Sequence, residues 1–210
     1  MTRALILVDL QNDFMPGGAL AVPEADRLVD LANRVARRFR RVVASRDWHP
    51  PGHGSLVTAH PGSHPGDVVE LDGLEQILWP AHCIQGTSGA AFADGLELGA
   101  SVHVFDKGVD PLVDSYSCFF DNAHRRSTGL ERFLRDSSVT DVYLLGVATD
   151  YCIKFSALDA AELGFRTFVI EDGCRGIDLR PGDVDRALGE MRAAGVRLVT
   201  SDEVSGEPGG

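Results

Sequence analysis

A cysteine, an aspartate and a lysine each stand at the end of a separate apolar run in this sequence. Asp9 follows the first run, Lys107 closes the third, and Cys152 comes after the fourth. Taken singly, each has an ordinary structural interpretation, because cysteines pack in cores, aspartates cap turns and lysines are solvated. Together they supply a thiol nucleophile, a base that can accept its proton and a cation that stabilises charge. We therefore predict a nucleophilic site formed by these three residues.

The stretch GVATDYC, residues 146–152, predicts a strand that turns sharply into a helix. Backbone N–H groups at a helix start can hold the oxyanion of a tetrahedral intermediate. The same helix start and the ammonium of Lys107 are expected to lower the pKa of the Cys152 thiol from its usual value of about 8.5. The stretch therefore predicts a strand-turn-helix like that of a nucleophile elbow, with cysteine in place of serine.

Asp47 and His49 form a second group, in the stretch SRDWH after the second apolar run. In an extended segment residues i and i+2 point to the same side, so this carboxylate and imidazole face together. His82, in WPAHC, offers a third ligand from a region that holds four of the seven histidines. Three ligands with open positions are typical of a catalytic divalent metal, with zinc as first choice and iron or manganese as alternatives. The competing interpretation is that these are three polar loop residues that do not meet in the folded protein. If a metal is bound, His53 is a further candidate ligand.

Three aromatic residues lie near these groups and suggest how a substrate is held. Phe14 follows Asp9 by five residues, and Trp79 precedes His82 by three. With Tyr116 they could line a flat pocket that accepts a planar ring. The alternative is ordinary core packing, which the aromatic residues alone would favour.

Apolar runs that alternate with helical patterns must position these residues. Strands are predicted at 4–10, 42–45, 102–108, 141–147, 166–172 and 196–200, and helices at 24–40, 128–138, 150–164 and 180–195. This alternation predicts an α/β domain with a six-stranded parallel sheet and helices on both faces. In such sheets ligands bind beyond the carboxyl ends of the strands, which is where the candidate residues fall.

A single domain is predicted over residues 1–200, with one irregular insertion and one tail. Residues 50–101 are rich in glycine and proline and show little helical periodicity. A long segment without regular structure inside a compact domain is either functional or wrongly assigned. Residues 201–210 are predicted to be a flexible tail.

The composition limits the possible partners and the location of the chain. The net charge of −11 argues against nucleic acid and anionic membranes as partners. The four cysteines form no C-x-x-C pair, and the N-terminal apolar run is too short for a signal peptide. We expect a cytoplasmic protein with reduced thiols, and the sequence leaves open whether it forms a homo-oligomer.

The motifs DLQNDF, SRDWH, WPAHC, FDKG and GVATDYC closely resemble those of the bacterial nicotinamidases, also called pyrazinamidases, of the isochorismatase-like cysteine hydrolases. The resemblance runs from about Ala4 to Thr200. It implies a parallel sheet of order 3-2-1-4-5-6. It also implies a triad and a metal site, which fall on Asp9, Lys107 and Cys152 and on Asp47, His49 and His82.

The resemblance further implies hydrolysis of nicotinamide to nicotinate and ammonia through a cysteine thioester, as part of NAD salvage, with pyrazinamide as a second substrate. The pyridine ring would lie between the three aromatic residues, with its nitrogen on the metal. A cis peptide between Val147 and Ala148 would turn the Ala148 N–H toward the oxyanion, beside that of Cys152. One alternative is another cysteine amidase of the superfamily that acts on a different small amide. The other is a metal-binding or thiol-redox protein without hydrolysis.

Overall fold

Six parallel strands form the main sheet, as the alternating pattern predicts. The structure is a computed structural model and describes residues 2–206. The strands are β1 (Thr2–Val8), β2 (Val42–Asp47), β3 (Val68–Leu71), β4 (Leu74–Ile77), β5 (His103–Lys107), β6 (Val139–Val147), β7 (Arg166–Arg175) and β8 (Arg197–Val199). The main sheet has the order β5-β2-β1-β6-β7-β8. Because β3 and β4 lie outside it, this is the predicted order 3-2-1-4-5-6, which is thereby confirmed.

Helices cover both faces of this sheet. They are α1 (Arg27–Ala36), α2 (Leu130–Asp136), α3 (Lys154–Glu162) and α4 (Asp183–Ala193). Leu5 and Leu7 of β1 pack into the core that contains α1, whereas Ile6 and Val8 pack into the core with the other three helices. A central parallel strand buried on both faces must be apolar at every position, which explains the unbroken run at the start of the sequence.

The ends of the elements differ from the predicted ends at the positions that matter for the site. β1 ends at Val8, so Asp9 lies just beyond the strand, with φ at 50°. Lys107 is the last residue of β5 rather than a residue after it. The predicted helix 150–164 begins as a π-helical turn over Thr149–Ile153, which leads into α3.

The segment 50–101 contains more regular structure than its composition indicates. β3 and β4 pair as an antiparallel hairpin, joined by Asp72 and Gly73, which both have positive φ. An Asp-Gly pair favours this two-residue turn because both positions need left-handed backbone. The expectation of an irregular segment is therefore corrected for the hairpin. The backbone of His49 also donates to Cys83 O at 3.0 Å, which ties the segment to the end of β2.

The beginning of the predicted tail is folded onto the domain. Ser201–Glu203 form a 3-10 turn, and the side chain of Val204 is buried. Arg38 Nη1 donates to Ser201 O at 2.6 Å and to Val204 O at 3.0 Å. The prediction of a flexible tail is thus wrong for residues 201–204, and residues 207–210 lie outside the described part of the chain. Among the described residues, no helix is long and apolar enough to cross a membrane.

Candidate active site

A buried ammonium lies at the centre of the site. Lys107 Nζ is 2.9 Å from Asp9 Oδ2, 2.5 Å from Asp47 Oδ1 and 3.3 Å from Cys152 Sγ, and it donates to Ser115 O at 3.0 Å. These side chains come from the carboxyl ends of neighbouring strands of the sheet. The structure therefore brings Asp9, Lys107 and Cys152 together, and it adds Asp47 as a second carboxylate on the same cation.

Asp9 is a buried carboxylate with distinct partners on its two oxygens. Ser45 Oγ donates to Oδ1 at 2.7 Å, and Lys107 lies at Oδ2. Burial raises the pKa of Asp9, and the negative charge of Asp47 adds to this, whereas Lys107 opposes it. A carboxylate with a raised pKa accepts a proton more readily, which suits a base that later returns it.

The thiol of Cys152 does not have the lowered pKa that its sequence context predicts. Burial raises the pKa of Cys152 well above its usual value, and Lys107 opposes the shift without overcoming it. The residue also lies inside the π-helical turn rather than at the first turn of α3. The resting thiol is therefore neutral, so a nearby base must remove its proton when it reacts.

The turn that carries the thiol has an unusual backbone. The peptide between Val147 and Ala148 is cis, as the family resemblance implies. Gly146 has φ at 136°, and a Cβ there would lie 2.0 Å from Val8 O, so only glycine fits so close to β1. Ile153 N–H donates to Ala148 O at 3.0 Å, five residues back. Ala148 and Cys152 both line the adjoining cavity.

The predicted metal ligands also lie together. Asp47, His49 and His82 are buried, and each offers a ligand atom within 4.8 Å of the others. His82 Nδ1 donates to Pro80 O at 2.8 Å, and its other ring nitrogen, Nε2, faces Asp47 Oδ2 at 3.6 Å. Metal-ligating histidines usually donate their other ring nitrogen to an oxygen in this way.

The charge state of this group suits a divalent cation. Burial opposes the ionisation of Asp47, but the ammonium of Lys107 opposes burial most strongly and holds the pKa of Asp47 well below its usual range. His49 Nε2 lies 3.1 Å from Asp114 Oδ1, while its Nδ1 is buried without a hydrogen-bond partner among the described residues. An ionised carboxylate with two imidazoles, one carrying an orphaned nitrogen, fits a bound metal.

His53 packs against the ring of His49 and is not grouped with the other two proposed ligands. The two rings have centroids 4.7 Å apart, and His53 groups with His49 and Asp114. Its Nδ1 accepts a hydrogen bond from Ser55 N at 3.1 Å. The structure therefore does not place His53 in one group with Asp47 and His82.

A small cavity opens onto the thiol and onto two of the proposed ligands, Asp47 and His82. Its lining residues are the predicted Phe14, Trp79 and Tyr116, and also Leu20, Asp47, His82, Asp114, Ser115, Ala148, Tyr151, Cys152 and Ile177. Trp79 Nε1 and Gln76 Nε2 both donate to Tyr116 Oη, at 3.2 and 3.0 Å. Gln76 belongs to β4, so the hairpin within the insertion helps to hold the aromatic wall.

Sequence reasoning missed two residues with clear roles in this geometry. Tyr151 packs edge-on against Trp79, with centroids 4.8 Å apart, and Asp114 contacts His49. Tyr151 directly precedes Cys152, so its place next to the thiol was a usable signal. Asp114 lies two residues before Tyr116, which would point both to one side of an extended segment.

Comparisons with known proteins identify the family of this chain. The profile of the isochorismatase domain family matches residues 3–203. The nicotinamidase of Escherichia coli is 52% identical to this chain over 202 residues, which cover 94% of each sequence.

Solved structures with the same fold include two that bear on the site. A nicotinamidase and pyrazinamidase of Acinetobacter baumannii has a TM-score of 0.93 and 43% identity, covering 97% of this chain and 98% of that one. A pyrazinamidase of Pyrococcus horikoshii, solved in complex with zinc, has a TM-score of 0.79 and 37% identity, covering 95% of this chain and 99% of that one.

Proposed function

The chain belongs to the isochorismatase family, and we propose that within this family it is a nicotinamidase, which hydrolyses nicotinamide to nicotinate and ammonia. The observation that carries the proposal is that Cys152, Asp47 and His82 line one small cavity whose other lining residues include four aromatic side chains. A flat ring fits between such walls, and its amide would face the thiol. The reaction belongs to NAD salvage.

The first half of the reaction forms a thioester on Cys152. Asp9 takes the thiol proton, and the thiolate attacks the amide carbon, whose π electrons move to oxygen. The backbone N–H groups of Ala148 and Cys152 hold this oxyanion. Asp9 then gives its proton to the amide nitrogen, the C–N bond breaks, and ammonia leaves.

The second half returns the enzyme to its starting state. Asp9 takes a proton from water, and the resulting hydroxide attacks the thioester carbon. The C–S bond breaks, and Asp9 returns the proton to the sulfur as nicotinate forms. One carboxyl group thus serves as base and acid in turn, which requires it to exchange protons easily.

Lys107 stays charged throughout. Burial opposes its charge, but Asp47 and Asp9 outweigh burial and raise the pKa of Lys107 well above its usual value. Its role is to keep Asp9 in place and to stabilise negative charge on the sulfur, 3.3 Å away.

Asp47, His49 and His82 would hold one divalent metal ion, for which zinc is our first choice and iron or manganese are alternatives. When bound, the ion supplies a Lewis acid for the ring nitrogen of the substrate, which orients the carboxamide toward Cys152. Pyrazinamide also carries a ring nitrogen, so we propose it as a second substrate.

Ammonia release from nicotinamide by the purified chain, with metal content determined on the same sample, tests this function. We expect release that depends on the metal and is restored by adding it back. No release from the metal-loaded protein would contradict the proposal. Turnover that survives complete metal removal would instead favour another small-amide hydrolase on the same scaffold.

A further inference from the structure

Ser45 is a buried hydroxyl that contacts the proposed base and has no part in the mechanism above. It lies in β2, two residues before Asp47, and is 1% exposed. Its Oγ donates to Asp9 Oδ1 at 2.7 Å, and its backbone oxygen accepts from Asp9 N at 3.3 Å. Ser45 is not among the residues that line the cavity, so a ring bound there would not touch it.

The thiol of Cys118 fixes the direction of the bond between Ser45 and Asp9. Cys118 Sγ lies 3.1 Å from Ser45 Oγ, and its backbone N–H is anchored on Ser156 Oγ at 2.8 Å. Burial raises the pKa of Cys118 to about 12, so this thiol keeps its proton near neutral pH. It donates to Ser45 Oγ, whose single proton is then directed to Asp9.

This chain of donors makes the two oxygens of Asp9 different. Oδ1 is held by Ser45, whereas Oδ2 faces Lys107, whose Nζ is next to the sulfur of Cys152. A proton taken from the thiol can settle on Oδ2 without breaking the bond to Ser45. Rotation of the carboxyl group would break that bond, so Oδ2 stays directed at the reacting atoms.

We propose that Ser45 is a positioning residue for Asp9 and that the thiol of Cys118 sets the direction of its hydroxyl. The inference rests on the proposed function, because it assumes that Asp9 carries the proton transfers of amide hydrolysis. Since Ser45 does not touch the cavity, its hydroxyl affects the chemical steps and leaves substrate binding alone. The expected signature is a fall in kcat with KM unchanged.

The test is Ser45→Ala in the full, metal-loaded chain, with nicotinamide as substrate. We expect kcat to fall on the order of tenfold, because a misdirected base loses part of its contribution. Ser45→Thr keeps the hydroxyl and is expected to restore most of the rate. The backbone bond to Asp9 survives both substitutions, so the pair isolates the hydroxyl.

Thr167→Val is a matched control elsewhere in the same sheet. Thr167 is a buried residue of β7 whose Oγ1 donates to Phe165 O at 3.2 Å, near the amino end of that strand. Its substitution also removes a buried hydroxyl hydrogen bond, but we expect kcat to stay at the wild-type value. A comparable fall in Thr167→Val would mean that loss of stability explains both results, and it would overturn the inference.

Cys118→Ala is the second variant, and it decides the matter if Ser45→Ala does not fold. Loss of the thiol donor frees the Ser45 hydroxyl to turn, so we expect a smaller fall in kcat, about threefold. Cys118→Ser replaces one donor with another and is expected to recover the rate. Unchanged kcat in Cys118→Ala would show that the thiol does not direct the hydroxyl.

Three further results would overturn the inference while the proposed function stands. They are a wild-type kcat in Ser45→Ala, a rise in KM alone, and a loss of activity that follows loss of metal. The last would assign Ser45 to the support of Asp47. If the wild-type chain itself releases no ammonia from nicotinamide, the proposed function fails and this inference fails with it.

Discussion

The two halves of the cavity are organised in different ways. In the nucleophile half (Asp9, Lys107 and Cys152), the lysine contacts the other two side chains directly. In the metal half (Asp47, His49 and His82), the possible ligand atoms lie within 4.8 Å of one another, and the Nδ1 atom of His49 is buried without a hydrogen-bond partner among the described residues. We propose that the first half works with the side chains of the protein alone, whereas the second half binds a divalent ion.

Lys107 joins the halves, because its ammonium contacts both Asp9 and Asp47. One buried cation therefore balances the proposed base and a proposed metal ligand. Substitutions within a single half are expected to separate chemistry from metal binding, and a substitution of Lys107 is expected to disturb both.

Cys152→Ala is expected to have the largest effect. Loss of the nucleophile removes the covalent step, so ammonia release falls by at least about 10⁴-fold. Metal content and thermal stability stay near wild type, because the metal half does not include the sulfur. Steady-state ammonia release and metal analysis on the same sample check this. Substantial activity in this variant would support a function without a cysteine nucleophile.

Lys107→Met is expected to be next in size. It leaves two buried carboxylates without their cation, which typically costs about 3–5 kcal/mol of folding free energy. We expect activity to fall on the order of 10³-fold, since the thiolate loses its nearest cation. Urea unfolding and steady-state kinetics measure the two effects. Wild-type stability would contradict the central position of this ion pair.

His82→Ala tests the metal half, because the side chain of His82 pairs with Asp47 and donates to Pro80 O. Metal content is expected to drop, and kcat/KM to fall by at least about 10²-fold. The thiol of Cys152 stays intact, so its alkylation rate by iodoacetamide is expected to match that of wild type after metal removal. Full metal content in the variant would remove His82 from the ligand set.

Tyr151→Ala has the smallest expected effect. The aromatic wall loses its edge contact with Trp79, so KM for nicotinamide rises by roughly tenfold while the metal content is unchanged. Tyr143→Ala is a matched control, since Tyr143 stacks on Phe168 and is not part of the cavity wall. Equal KM values in the two variants would mean that Tyr151 does not contact the substrate.

Much of the fold followed from local patterns. The apolar runs identified all six strands of the main sheet, and the residues after them marked the edge where Asp9 and Cys152 lie. The ends of the strands were predicted less accurately than their existence. The strand β1, for example, stops two residues before its apolar pattern does. The cytoplasmic location and the oligomeric state stay predictions.

The errors share one cause. A tail of small and polar residues is expected to be unstructured. Here, however, Arg38, which follows α1 and is distant in sequence, donates hydrogen bonds to two backbone carbonyl groups of the tail. A cysteine near a lysine is expected to have a lowered thiol pKa. In the folded protein, burial outweighs the charge of the lysine and raises the pKa of Cys152. Both outcomes depend on what surrounds a residue in space, which a linear pattern does not contain.

The sequence by itself determined the strand order, through its family resemblance, and the types of side chain at each strand end, because alternating elements dictate a parallel sheet with one functional edge. Only the tertiary structure decided which atoms meet. It placed one lysine between two carboxylates, directed Ser45 to one oxygen of Asp9, and set His53 behind His49. Distances of about 3 Å govern hydrogen bonds and ion pairs, and chain folding alone fixes distances on that scale.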